Sequence, residues 1–179
     1  MATKTVWIVD AGYLIKCPLG HFDYLKLKGE LEKRSGGPFF EAYYLNSTPN
    51  PPTDAQDAFH TWLKCAPLRG PKMRVKLYGL KDMHNNCPAC GKAFDRQIQA
   101  GVDVGIATLI IKLASQGQYD RLILSAGDGD FEDAIDYVKS ELHKEFWLSG
   151  YDGSVSADLQ SYADKVIWMN EFWDDIKKM

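Results

Sequence analysis

The chain nowhere runs eighteen apolar residues together, so no stretch of it reads as a membrane-spanning helix. The apolar run in its opening, MATKTVWIVD, is too short for a secretory signal, which makes the cytoplasm the expected compartment, with no role at a membrane. Cysteine is scarce. Four residues, Cys17, Cys65, Cys87 and Cys90, without a secretory context argue against a disulfide framework and leave metal binding or simple burial. Positive charge is not in excess either: 21 Lys and Arg stand against 24 Asp and Glu, a net charge of -3. Nucleic acid therefore gains no global attraction, and any binding of it must rest on a local basic patch. No internal repeat or low-complexity segment appears. What remains is an ordinary globular composition, 45% hydrophobic and 25% charged, expected to form one domain over residues 1–179.

Strand and helix signals alternate along the chain. Thr5 to Val9 reads as a buried strand ending at Asp10-Ala11-Gly12. Asp23 is placed to cap a helix through about Arg34, stopped by Gly36-Gly37-Pro38 before a strand over Phe39 to Leu45. Thr53 or Asp54 starts a helix to about Lys64, and Met73 to Tyr78 forms the next strand. Lys81 to Gln99 has no clean period and reads as an insertion. The apolar helix Val102 to Ala114 follows, then a strand from Arg121 to Ala126, a Gly-rich turn, and a helix from about Phe131. A strand over Glu145 to Leu148, a short helix over Ala157 to Tyr162, a strand over Val166 to Met169 and a helix over Glu171 to Lys177 complete the reading. Repeated β-α units predict an α/β fold, three layers with a mostly parallel central sheet between helices.

Four acids fall where such a sheet gathers its ligands. Asp10 ends the first strand, Asp128 and Asp130 lie in the SAGDGDF turn after the strand at Leu122, and Asp103 starts a helix. Converging aspartates can hold Mg²⁺ or Mn²⁺, which stabilises a pentacoordinate phosphate and makes a water nucleophilic. The bland alternative makes Asp10 and Asp128 turn residues and Asp103 and Asp130 helix-start residues favoured by the helix dipole.

The set VWIVDAGYL, AGVDVGIATLIIKLA, LILSAGDGDFEDAI and SADLQSYAD resembles the NYN domain of the LabA-like group, within the PIN-like nuclease superfamily. The resemblance spans nearly the whole chain, with the motifs in family order. It implies a metal-dependent ribonuclease in which Asp10, Asp103, Asp128 and Asp130 bind Mg²⁺ or Mn²⁺ and single-stranded RNA is the expected partner. The chain departs from the family at Tyr13, where many members carry Asn, and at Ala100, where a basic residue is common.

Two other functions remain open. GDGDFEDA also resembles the metal loop of haloacid-dehalogenase-type phosphatases, with Asp10 as nucleophile. That class needs a second acid two residues on, where this chain has Gly12. A non-catalytic module that binds RNA or a protein is the other rival.

Around the acids, Ser125 is a candidate for holding phosphate or a metal-bound water, against a plain backbone hydrogen bond. Ser156 reads as a helix N-cap, and Ser154 and Asp158 lie on the same loop. Lys72, Arg74 and Lys76 alternate along one strand face, either to track a phosphate backbone or as a solvated edge. Tyr43, Tyr44, Trp147 and Trp168 read as core. Cys87-Pro-Ala-Cys90-Gly has zinc-knuckle spacing, with His84 as a third ligand and Cys65 as a distant fourth. Structural Zn²⁺, a redox pair and two free thiols all remain open for it. The residue pattern leaves the oligomeric state open.

Overall fold

A computed structural model of the chain describes residues 2–98 and 100–179; Met1 and Gln99, the last residue of the expected insertion, lie outside them. The first half consists of β1 (Thr5–Asp10), α1 (Ala11–Ile15), α2 (Tyr24–Ser35), β2 (Glu41–Thr48), α3 (Asp54–Lys64), β3 (Arg74–Gly79), β4 (Lys81–Asn86) and β5 (Ala93–Ile98). The second consists of α4 (Val102–Ser115), β6 (Arg121–Ser125), α5 (Glu132–Ser140), β7 (Glu145–Gly150), α6 (Ala157–Tyr162), β8 (Lys165–Trp168) and α7 (Trp173–Ile176). Single 3-10 turns at Gly129–Phe131 and Met169–Phe172 lead into α5 and α7.

Six parallel strands form one sheet in the order β3-β2-β1-β6-β7-β8. β1 lies at its centre because Val6, Trp7, Ile8 and Val9 are apolar on both faces and all four are wholly buried. Beyond one face, Ile106, Leu109 and Ile110 of α4, Ile135 and Val138 of α5 and Leu159 of α6 pack on Val6, Ile8, Leu122 and Leu124. Beyond the other, Leu14 of α1, Leu27 and Leu31 of α2, Leu63 of α3 and Ile176 of α7 pack on Trp7, Val9, Tyr44 and Ile123. The result is the three-layer arrangement that the β-α alternation predicts.

Local signals fix where the helices begin and end. Asp23 accepts from the Leu25 and Lys26 amides at 2.8 and 3.2 Å, and Gly36 at φ 93° closes α2. Thr53 and Gln56 form a capping box at the start of α3.

The chain winds outward from β1 to β3, crosses back through α4, then winds the other way from β6 to β8. Its order therefore reverses between β1 and β6, and the crevice beyond the carboxyl ends of that pair is the ligand position of a doubly wound sheet.

Two expectations need correction, and the expected insertion takes a definite form. The second strand begins at Glu41 and runs to Thr48, later than the reading from Phe39 to Leu45. The closing segment is a 3-10 turn and a four-residue helix ending at Ile176. The stretch from Lys81 is a regular antiparallel hairpin, β4 with β5, outside the main sheet. With nearly every side chain exposed on both faces, it carries no alternation to read.

Among the described residues no helix is long and apolar enough to cross a membrane.

Candidate active site

Asp10 is the last residue of β1 and the first of that strand not wholly shut from solvent. Its neighbour β6 ends at Ser125, after which Ala126 and Gly127 lead to Asp128. The two acids thus stand beyond adjacent parallel strands, at the crevice where the strand order reverses. Asp103 reaches the same place from the first turn of α4, the helix that crosses back to β6.

The charges at these positions act on one another. Burial pushes the Asp10 carboxyl up to about 6, reinforced by the charges of Asp103 and Asp128 and partly offset by the amides of Tyr13 and Gly12. Asp103 is also raised, by burial and then by the charges of Asp128 and Asp130. Asp128 and Asp130 are exposed. One oxygen of Asp128, Oδ1, accepts from the Asp130 amide at 3.0 Å and caps the 3-10 turn. The capping reading of Asp128 holds, and it uses one of the two carboxylate oxygens.

These donors are all carboxylate oxygens, the ligand type of Mg²⁺ and Mn²⁺. The raised Asp10 and Asp103 carboxyls mark unbalanced negative charge that a cation would relieve. The residues present therefore fit a hard divalent ion. Among the described residues no three His, Cys, Asp or Glu side chains are grouped to hold one ion directly.

The loop after β7 closes over one side of the acids. The Ser156 amide donates to the Gly127 carbonyl at 2.9 Å, and Ser156 Oγ accepts from the Leu159 amide at 3.1 Å as the N-cap of α6. Tyr13 pins that loop. Its ring stacks on Tyr151 with centroids 4.9 Å apart, its hydroxyl accepts from the Tyr151 amide at 3.2 Å, and it also pairs with Ser154 Oγ. Burial pushes the Tyr13 phenol up to about 12, so it stays protonated. Gly127 and Gly150 make room for it: a Cβ on Gly127 would lie 2.7 Å from the Tyr13 ring, and one on Gly150 would collide with its hydroxyl.

Sequence reasoning noted Tyr13 only as a departure and missed this lock; two glycines at strand ends were the available signal. It also left Asp158 as a marginal extra. Asp158 Oδ2 would be 3.9 Å from a Cβ on Gly129, which puts a fifth acid beside the turn.

Other candidates fall elsewhere. Ser125 does not reach the crevice: it is wholly buried, and its Oγ accepts from Trp7 Nε1 at 2.9 Å. Tyr43, Tyr44 and Trp147 are buried as expected, and Trp168 packs against the core. Lys72 precedes β3 in a left-handed turn, φ 52°, so the alternation starts only at Arg74. Arg74 is held by Glu41 through two hydrogen bonds of 2.9 and 3.2 Å, which neutralise it. Among the described residues Lys76 has no such tie. With Lys112 and Leu109 it lines a trough between β3 and α4, which runs from Gly101 and Gly105 at the start of α4 towards Gln116. Tyr78 packs into the upper end, where only a glycine at 105 leaves room for its hydroxyl.

The thiol candidates do not assemble into one site within the chain. Cys87 and Cys90 share the β4–β5 tip, His84 pairs with Asp95 across the hairpin, and Cys65 ends α3 with its thiol on the Thr61 carbonyl.

A doubly wound α/β domain with acids beyond the strands at its switch point is the class that the fold defines. The chain belongs to the NYN domain family, whose model matches residues 8–170. It is 29% identical over 109 residues to the low amplitude and bright protein LabA of Synechococcus elongatus. That match takes in 61% of this chain and 54% of LabA, so the chain spans about half the length of this relative. A protein of unknown function from Vibrio parahaemolyticus has a similar fold, with a TM-score of 0.70 at 22% identity, over 97% of this chain and 95% of that one.

Proposed function

We propose that the chain is a metal-dependent nuclease of the PIN-like kind that hydrolyses phosphodiester bonds in single-stranded RNA. One observation supports the reading: Asp10 is raised to about 6 beyond the strands at the switch point, and the charges of Asp103 and Asp128, carried on two other elements, add to that rise. Mg²⁺ or Mn²⁺, when bound, supplies positive charge for the phosphorane-like transition state and lowers the pKa of a water for in-line attack. Asp10, Asp103 and Asp128 would hold the ion, one or two directly and the rest through water, the usual coordination of Mg²⁺. Asp130 joins them as a ligand or as the acceptor that orients the attacking water. Tyr13 and the loop it pins keep the Asp128 turn in place beside Asp10.

Lys76 and Lys112 flank the trough beside α4 and give the RNA backbone its local positive track, and Tyr78 lines the end at the start of α4. The track lies on a chain of net negative charge, so binding is local and weakens steeply with salt. The expected compartment is the cytoplasm, where the free cysteines stay reduced.

The test is incubation of pure protein with labelled single-stranded RNA and, separately, with a generic phosphomonoester, in Mg²⁺, Mn²⁺ and chelator. Cleavage of RNA with metal, lost in Asp10→Asn and Asp128→Asn although both variants fold, is the expected result. An amide keeps the shape and removes the charge that holds the ion. Phosphate released from the monoester alone would replace the reading with a phosphatase. RNA bound but uncut at every metal concentration would make the chain a binding module.

A further inference from the structure

Helices that connect parallel strands begin at the carboxyl edge of the sheet, so the start of α2 stands at the same edge as Asp10, in the layer opposite α4. A cavity of about 270 Å³ opens there, between the end of α1, the start of α2, α3 and the closing segment. Phe22, Tyr24 and Phe59 are its walls, and Ile15, His21 and Lys178 its rim. The rings of Phe22 and Phe59 are tilted by 51° and 56° to that of Tyr24, with centroids 4.9 and 5.8 Å away, so the three enclose space rather than stack on one another. The closing segment is fixed against this mouth: Phe22 bridges Lys177, and the Lys178 amide donates to the His21 carbonyl at 2.9 Å.

Two features set this cavity apart from a packing gap. Ile15, beside the mouth, is 67% exposed, apolar surface that the fold itself leaves uncovered. Tyr24 is only 7% exposed, yet among the described residues its hydroxyl has no hydrogen-bond partner, although a buried phenol ordinarily finds one. Its neighbour Tyr44 is served by Asn46 at 3.3 Å. Burial, then the charges of Tyr44 and Asp10, push the Tyr24 phenol well up, so it stays protonated and able to donate. The pocket thus combines aromatic walls, one unspent donor and an exposed ammonium, within electrostatic reach of Asp10.

We propose that this pocket receives one unpaired base of the RNA strand that lies across the acids, with Phe22, Tyr24 and Phe59 as its walls, the Tyr24 hydroxyl on its polar edge and Lys178 on the adjoining phosphate. The choice of RNA rests on the nuclease reading above. Every base has a ring face to set against aromatic walls, and an ammonium at the mouth meets the anionic backbone. An apolar side chain of a protein partner would leave the phenol unpaired and the ammonium idle, which favours a base as the occupant. A base inside a duplex is paired and stacked and does not enter, so the pocket selects single strands. The trough of Lys76 and Lys112 lies in the α4 layer and the pocket in the opposite one, so a strand crossing the acids meets both.

Binding of labelled RNA hexamers to the full chain in chelator, where metal-dependent cutting cannot interfere, tests this. The probes are single strands of each base in turn, a duplex, and a hexamer stripped of its bases. The base-bearing single strands are expected to bind more tightly than the duplex and the abasic strand. Ile15→Glu and Lys178→Glu change exposed positions, so the fold is kept. Each is expected to weaken single-strand binding by roughly fivefold or more, the low end of what stacking one base contributes. Tyr24→Phe keeps the ring and removes the hydroxyl, and is expected to flatten the preference among the four bases. Equal binding of abasic and ordinary hexamers, or equal binding by the parent and both rim variants, would overturn the proposal and leave the nuclease reading untouched. Hexamers bound with the expected effects but left uncut when metal is restored would support the pocket and remove the nuclease. A parent that binds none of the hexamers would overturn the pocket outright.

Discussion

Asp10 carries opposed demands, and its titration exposes them. Its carboxyl rises from an ordinary 3.8 to about 6 in the fold, so between those values the folded chain holds a proton that the unfolded chain has released. Stability present below about pH 4 is therefore withdrawn as the pH climbs through 6, by at most about 3 kcal/mol at 1.36 kcal/mol per pKa unit. Urea melts in chelator should show the parent losing stability relative to Asp10→Asn across that window. Parallel profiles would mean that Asp10 ionises without strain. Asp103, also raised, gives a second test. Asp103→Asn should leave metal-free stability unchanged or higher, and Mg²⁺ should stabilise the parent more than the variant by mass action. If Asp103 serves only the helix dipole, thermal melts will instead show a loss of roughly 0.3 to 1 kcal/mol with or without metal.

Among the elements, the lock between α1 and the loop after β7 decides how firmly the Asp128 turn is held. Tyr13→Phe keeps the stacked ring and deletes the hydroxyl that serves the Tyr151 amide and Ser154. Losing that acceptor should cost about 1 to 3 kcal/mol, the range for a buried donor left unpaired, and hydrogen exchange should quicken at Tyr151 and Ser156. Unchanged exchange at both would show that the loop needs no such pin. Elements built from local signals were legible in the sequence: Asp23 and Gly36 bound α2, Thr53 with Gln56 starts α3, and the apolar run of β6 leads into its acidic turn. What depends on partners far along the chain was not. Ser125 looked available at a strand end, yet the indole that buries its hydroxyl lies 118 residues away. The Tyr13 lock spans 138 residues to Tyr151, and the hairpin, exposed on both faces, had no burial pattern to show.

For the molecule as a whole, the reversal of strand order between β1 and β6 sets Asp10 and the Asp128 turn beyond adjacent strands. Asp10, Asp103 and Asp128 are more than twenty residues apart from one another in sequence, and the doubly wound topology brings them near enough for their charges to influence one another. Their placement at strand ends and at a helix start was legible. Which cation follows them in β3 was not, because alternation alone cannot see that Glu41 neutralises Arg74 and that the turn at Lys72 breaks the register. Crystals soaked in Mn²⁺ and measured at a wavelength that reveals manganese test the central claim most directly. The account expects an anomalous peak among Asp10, Asp103 and Asp128 that disappears in Asp10→Asn crystals. Manganese bound elsewhere, or a crevice without a peak under soaks that saturate activity, would contradict it.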